Sequence, residues 1–173
     1  DMDVVYDEYG IPYIPAKRIK GCIREAALEM MQMDIISQER YDGLFGKEGN
    51  VSSAFSLSNA YIRGYDDAVN ALKACRYKGL SSQQNVLNQY TSTRTQTAVD
   101  LETGVADANS LRTMRVVNKG LVFEAECDVK GSAEDKKVLT QAVSLVKHMG
   151  ISRTRGLGLV DLVMVDEDEK KIS

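Results

Sequence analysis

Three groups of residues in this sequence have the types and spacing to do chemistry. The first is Gly150-Ile-Ser-Arg-Thr-Arg-Gly-Leu-Gly158. Glycines let a backbone approach a ligand closely, and successive N–H groups in such a turn can cradle a phosphate. Arg153 and Arg155 would add charge-assisted, bidentate donors. The run is not a P-loop, because it lacks G-K-[ST] and joins a helix to a strand rather than the reverse. The same order excludes the Rossmann fingerprint. As a bare motif it is also what an ordinary glycine-rich turn looks like. The second group is basic. Lys17, Lys20 and Arg24 stand at i, i+3 and i+7, with Gly21 between them, which is the pattern of one helical face or of a merely solvated one. The third group is acidic: Asp1, Asp3 and Asp7. Carboxylates at close range can hold Mg²⁺ through water and position a 2′-hydroxyl for attack on the adjacent phosphate. An acidic run of this kind is more often only a solvated face.

The single histidine, His148, is expected in the last turn of a helix, where a cation is favoured by the macrodipole. Capping suits it better than catalysis, since it has no partner of the right type. The chain has no G-x-S-x-G, no H-E-x-x-H and no Cys–His arrangement.

These groups need elements to position them. Pro12 and Pro15 fix φ and push their preceding residues towards extended backbone. A helix can start directly after Pro15, where a missing N–H costs nothing. From there Ile19, Cys22, Ile23, Ala26, Ala27 and Met30 form one apolar face, so the helix should cover Ala16 to Met33. Gly21 inside it costs about 1 kcal/mol relative to alanine, and close approach of another backbone would be a reason to keep it. Asp34 to Asn50 reads as a connection. Phe55 to Ile62 alternates as a strand. Asp67 to Cys75 has a helical pattern. Ser81 to Thr97 is rich in Ser, Thr, Gln and Asn, has no core-forming period, and reads as a partly mobile surface excursion.

Leu121 to Val129 is the clearest strand, with Leu121, Phe123, Ala125, Cys127 and Val129 facing in. Ser132 is a good N-cap for the next helix, with Asp135 in the capping-box position. Val138, Ala142, Leu145, Val146 and Met149 make its apolar stripe, and Gly150 would stop it. Leu157 to Val165 is apolar enough for a central strand, and Asp166 to Lys171 is a charged tail. The order gives an α+β fold of the ferredoxin-like (RRM-like) β-α-β-β-α-β type, with a surface excursion at about 66–118 between the middle strands. Its first strand is short or missing: only Met2 to Tyr6 precedes the first helix as strand material. The chain also opens at Asp1 without an initiator methionine, and the expectation is that most of that strand lies upstream.

The 173 residues suffice for one domain with a real core. Net charge is only −3, so any nucleic-acid surface must be a local patch. Cys22, Cys75 and Cys127 are odd in number and widely spaced. They read as buried thiols in a reducing compartment, not as a metal site or disulfide framework. No apolar run approaches 18 residues and no signal peptide is visible, so a cytoplasmic location with no membrane partner is expected.

The stretch Pro12-Tyr-Ile-Pro-Ala-Lys-Arg-Ile-Lys-Gly-Cys-Ile-Arg resembles the I-P-G-S-S-L-K-G-x-L-R signature of the RAMP superfamily, the repeat-associated proteins of CRISPR effector complexes. It departs from that pattern at Ala16, Lys17 and Arg18, and matches it at Lys20, Gly21 and Arg24. Leu44-Phe45-Gly46 is similar to an L-F-G that follows the first helix in that family. Arg153-Thr-Arg-Gly-Leu-Gly158 resembles its R-T-R-G-x-G loop. Arg94-Thr-Gln-Thr-Ala-Val-Asp-Leu-Glu-Thr-Gly-Val-Ala, with Leu111 to Val117 and Gly120 to Phe123, is similar to the run that forms a thumb-like hairpin in type III backbone subunits.

The resemblance implies a single RAMP domain over residues 1–173 that binds guide RNA in a type III CRISPR interference complex. Lys17, Arg18, Lys20, Gly21, Arg24, Arg153, Arg155, Gly156 and Gly158 would follow the phosphate backbone as one contiguous surface. Arg94 would sit on a hairpin lying across a guide–target duplex. Partners would be guide RNA, target RNA and other effector subunits. Type III backbone subunits carry a cleaving aspartate six residues before a position that corresponds to Asp7, and Asp1 falls there. Asp1 or Asp3 would then be catalytic, with Mg²⁺ as cofactor. A non-cleaving capping subunit or a guide-processing endoribonuclease is the alternative within the family. A protein–protein scaffold is the alternative outside it, since ferredoxin-like folds host many functions.

Overall fold

Pro15 and the apolar period behind it act as the sequence suggests: a helix starts at Ala16. The computed structural model describes residues 4–46, 53–75, 82–96, 112–151 and 156–166. In chain order the elements begin with β1 (Tyr13–Ile14), α1 (Ala16–Gln32), α2 (Gln38–Phe45), β2 (Phe55–Leu57) and β3 (Ala60–Ile62). Next come α3 (Tyr65–Ala74), α4 (Gln83–Tyr90), β4 (Thr91–Gln96) and β5 (Arg112–Val117). The last are β6 (Phe123–Glu124), β7 (Cys127–Val129) and α5 (Ala133–Leu145). Helix and sheet are mixed, as an α+β fold requires. Two compact units result: Asp1–Pro15 with Asn59–Ala125, and Ala16–Ser58 with Glu126–Ser173.

The second unit is built on α1. Its buried stripe is Ile19, Ile23, Ala26, Ala27 and Met30, and it packs chiefly on α5. From α5 come Val138, Leu139, Ala142 and Val143, all buried. Its N-terminus carries the expected capping box: Asp135 N–H donates to Ser132 Oγ, and Ser132 N–H donates to Asp135 Oδ2 at 2.8 Å. β2 and β7 pair antiparallel, Phe55 opposite Val129. Tyr41, Phe45 and Phe55 form an aromatic chain with centroids 5.3 and 5.4 Å apart, the second contact edge-on.

Four expectations need correction in this unit. The connection after α1 contains a helix, α2, whose N-cap Ser37 accepts from Arg40 N–H and whose Tyr41, Leu44 and Phe45 are buried at i, i+3 and i+4. α5 ends at Leu145, before Gly150, because Lys147 to Met149 turn away to bond with Gly158 to Val160. Leu157 to Val165 is not a central strand among the described residues. Val160, Leu162 and Met164 are half-buried on the side where Thr140 Oγ1 meets Met164 Sδ, whereas Leu159 is 75% exposed and Val163 68%. Cys127 is exposed and Cys22 only half-buried, as is Cys75 of the first unit.

In the first unit a tight turn at Asp7–Gly10 returns the chain on itself: Asp7 N–H donates to Ile11 C=O and Tyr13 N–H to Val5 C=O. β1, β3 and β6 form an antiparallel sheet in the order β1-β3-β6. Ile11, Val69 and Val86 make a small core, with Tyr9, Ile62, Tyr65, Ala68, Leu72 and Tyr90 around it. β4 and β5 form a two-stranded ribbon, Thr91 opposite Val117 through Gln96 opposite Arg112.

Two expectations are corrected here as well. The excursion is folded where it is described: Ser82 caps α4, and Leu87 is only 1% exposed. The two expected long strands each break in the middle, Phe55–Ile62 into β2 and β3 and Leu121–Val129 into β6 and β7.

Candidate nucleic-acid interface

Three basic residues of α1, Lys17, Lys20 and Arg24, lie on one flank of the helix. Lys17, Arg18, Gly21 and Arg24 are exposed and Lys20 is half-buried. The Lys20 ammonium stands 4.8 Å over the Phe55 ring and donates to Phe55 C=O at 3.5 Å, a cation–π seat that aims the charge along the start of β2. Arg24 Nε donates to the Tyr41 hydroxyl at 3.1 Å. A β-carbon on Gly21 would meet no described atom within 4 Å. Close packing against the described backbone is therefore not the reason for this glycine. It leaves an open notch among Lys17, Lys20 and Arg24.

The glycine-rich loop stands on a two-bond stem. Met149 N–H donates to Gly158 C=O at 2.8 Å, and Val160 N–H donates to Lys147 C=O at 2.9 Å, with His148 opposite Leu159 between them. Gly156 and Gly158 are left-handed, at φ +74° and +71°. At Gly158 a β-carbon would stand 1.9 Å from the Met149 carbonyl oxygen, so no other residue fits the stem as it is folded. Arg153 and Arg155 lie outside the described residues. His148 is not in the last turn of α5 but two residues beyond its C-cap, Val146.

The stem and the basic stripe do not share a flank. At about 100° per residue, Lys17, Lys20 and Arg24 cluster on one side of α1, and Cys22, Glu25 and Glu29 on nearly the opposite side. Those latter three line a shallow cleft with Lys147 and His148, the first residues of the stem. The single contiguous surface expected for the two motifs depends on Arg153 and Arg155, which lie outside the described residues; the described stem lies beside the other flank of α1. Of the basic residues on α1, Arg18 alone projects towards the flank of the stem by this count.

The ribbon supplies a separate set of donors. Arg94 is exposed, in register with Met114. Arg115, in register with Thr93 and so on the other face, donates to Asn88 Oδ1 at 2.7 Å and to Thr91 Oγ1 at 3.1 Å. The buried Thr91 hydroxyl donates in turn to Leu87 C=O at 2.6 Å. Neither Thr91–Gln96 nor Arg112–Val117 contains an acidic residue. Sequence reasoning did not single out Arg115; its place directly before the Val116-Val117 pair gave no sign of the contact with α4.

Asp1 and Asp3 lie outside the described residues. Asp7 has both carboxylate oxygens engaged: Oδ1 accepts the N–H groups of Tyr9 and Ile11, each at 2.9 Å, and Oδ2 accepts the Tyr65 hydroxyl at 2.7 Å. Asp7 thus builds the turn. Burial, then the hydrogen bond to this carboxylate, pushes the Tyr65 phenol well above its ordinary range. Among the described residues no group of His, Cys, Asp and Glu could hold a metal ion, and no helix is long and apolar enough to cross a membrane.

The family model described as "RAMP superfamily" matches residues 1–161. No curated protein matches the sequence. Among solved structures, a chain from the cryo-electron microscopy structure of the type III-B Cmr-β bound to cognate target RNA superposes with a TM-score of 0.65 at 13% identity, covering 93% of this chain and 87% of that one. A chain from the apo state of the type III-B Cmr-β gives 0.67 at 13% identity, covering 95% and 88%. At such identity the likeness is one of fold.

Proposed function

The chain belongs to the RAMP superfamily, and from that premise we propose that it binds guide RNA as a subunit of a type III CRISPR effector complex. The observation that carries this reading is the loop on its closed stem. Gly156 and Gly158 are left-handed, glycines in such turns can offer successive N–H groups to an oxyanion, and Arg153 and Arg155 precede them in the sequence. Because α1 presents its basic stripe on another flank, the loop and the Lys17–Arg24 stripe act as two phosphate contacts rather than one. Contacts of this type follow the sugar–phosphate backbone and are indifferent to sequence. The ribbon with Arg94 is a third contact, fit to lie against a guide–target duplex, and the other effector subunits complete the surface. Asp7, committed to its turn, leaves Asp1 and Asp3 as the carboxylates that would hold Mg²⁺ for target cleavage.

The test is binding of fluorescent single-stranded RNA to the whole chain over a series of salt concentrations. Replacing Arg153 and Arg155 together by alanine should weaken binding. It should also flatten the slope of log K against log salt by about 1.4, from roughly 0.7 per lost phosphate contact. A wild-type chain with no salt-dependent affinity for RNA, and no nucleic acid copurifying with it, would favour the protein–protein scaffold instead.

A further inference from the structure

We propose that the cleft between α3 and α4 is a nucleobase-binding site. The proposal rests on the RNA-binding reading above and adds a contact to the base that the phosphate-directed motifs lack. The cleft has a volume of about 520 Å³, within the range of small-molecule sites. Ala68 and Ala71 on α3 keep one wall flat, and Val86 is buried beneath. The rim is polar but uncharged: Asn85, Asn88 and Gln89 on α4 stand at i, i+3 and i+4 and so share a helix face.

No described residue lining the cleft is ionised, and the nearby Arg115 guanidinium is engaged by Asn88 Oδ1 and Thr91 Oγ1. Among the described lining residues a phosphate would find no cation and a metal ion no carboxylate. A neutral, planar heterocycle meets both features, with apolar faces for the walls and an edge of alternating donors and acceptors for the amides. Carboxamides of Asn and Gln are the side chains that read such edges in pairs. Asn88 is already oriented, because its Oδ1 accepts from Arg115 at 2.7 Å and from Gln84 at 3.2 Å, which leaves its NH₂ as the donor end. The Gln89 side-chain amide bonds to no described residue. Tyr90 contributes an aromatic ring to the lining, and base–aromatic stacking tolerates any base. α4 runs directly into β4, the strand that carries Arg94. A base held in the cleft and a phosphate on the ribbon would therefore be served by consecutive elements of one unit.

The experiment is a titration of the ¹⁵N-labelled full chain with adenosine and with uridine, and separately with ribose 5-phosphate, following the side-chain NH₂ signals. A nucleoside should move the Asn88 and Gln89 signals, and ribose 5-phosphate should not. Ala71→Phe fills the slot from an exposed helical position, and its backbone amide spectrum reports whether it folds. It should weaken nucleoside binding about tenfold, within the range for one stacked base, and leave the salt slope of RNA binding unchanged, because no phosphate contact is lost. Gln89→Leu should weaken nucleoside binding in the same direction. If neither nucleoside moves the amides, or if a folded Ala71→Phe chain binds them like the wild type, the cleft is not a base site. RNA binding that persists in that case leaves the RNA-binding reading standing. Nucleoside shifts in a chain that does not bind RNA would overturn that reading and keep the cleft.

Discussion

Replacing Gly158 by alanine should open the stem of the glycine-rich loop. The structure gives the two costs separately. At φ +71° an L-residue is in the left-handed region, at roughly 1–2 kcal/mol. Its β-carbon would also stand 1.9 Å from the Met149 carbonyl oxygen and 3.0 Å from the carbonyl carbon. Both atoms are backbone, so relief requires the two stem strands to separate. That disturbs the Met149-to-Gly158 and Val160-to-Lys147 hydrogen bonds, about 1 kcal/mol each. The sum is roughly 3–4 kcal/mol, a large part of the stability of an ordinary domain. Gly156→Ala is the matched control: φ is +74° and no described atom lies within 4 Å of its β-carbon, so it should cost only the backbone part, roughly 1–2 kcal/mol. Urea unfolding gives the two destabilisations. Amide hydrogen exchange at Met149 and Val160 shows whether the stem is where the difference arises. If Gly158→Ala costs no more than Gly156→Ala, or if the two amides keep their protection, the stem does not depend on Gly158 and the reasoning fails.

Ser132→Ala should destabilise α5 by about 1 kcal/mol, measured by urea unfolding at neutral pH. The Asp135 carboxyl is held below its usual range chiefly by the hydrogen bonds from Ser132. Its contribution is therefore fully present above the ordinary carboxylate value near 4, is lost as pH falls through the lowered folded value, and the Ser132→Ala penalty should shrink over that acid window. Tyr65 should be among the last of the eight tyrosines to ionise in an alkaline titration. Its raised folded value means that the stabilisation is present below the ordinary phenol value and is lost as pH rises above it. Tyr65→Phe should remove that late step and cost about 1–3 kcal/mol, because it strips a donor from the Asp7 carboxylate. In the assembled complex, target-RNA cutting should need a divalent metal, and Asp1→Ala or Asp3→Ala should abolish it while leaving RNA affinity nearly intact. Unchanged cutting by the double variant would remove the catalytic reading.

What the sequence displays is local, and what it hides is tertiary. α1 was legible because a proline marked its start and six apolar residues kept one period. The α5 capping box was legible because Ser132 and Asp135 satisfy each other without outside help. The end of α5 was not, because the apolar stripe continues through Val146 and Met149 while the backbone leaves the helix. The competing bonds come from Gly158 and Val160, and nothing in Lys147 to Gly150 announces them. α2 did carry a signal, Ser37 ahead of Tyr41, Leu44 and Phe45, but eight residues containing Gly43 are too few for a convincing period. α4 had even less: Val86 and Leu87 are adjacent, and two neighbouring apolar residues define no face. Val86 is buried because Ile11 and Val69 are there to meet it.

The same division explains the candidate interface. The charges and glycines could be picked out by type, and the turn that holds Gly156 and Gly158 is where the motif placed it. Their grouping could not. Lys17, Lys20 and Arg24 share a face by period alone, but whether the loop comes down on that face depends on which side of α1 receives the chain leaving α5. Cys22, Glu25 and Glu29 receive it, so on the proposed reading a guide strand touching both motifs would pass from one flank of the helix to the other. A guide strand bound this way would touch the chain at separated phosphates, and losing either contact should weaken binding without abolishing it. That partial loss distinguishes two contacts from the one continuous surface that spacing alone suggests.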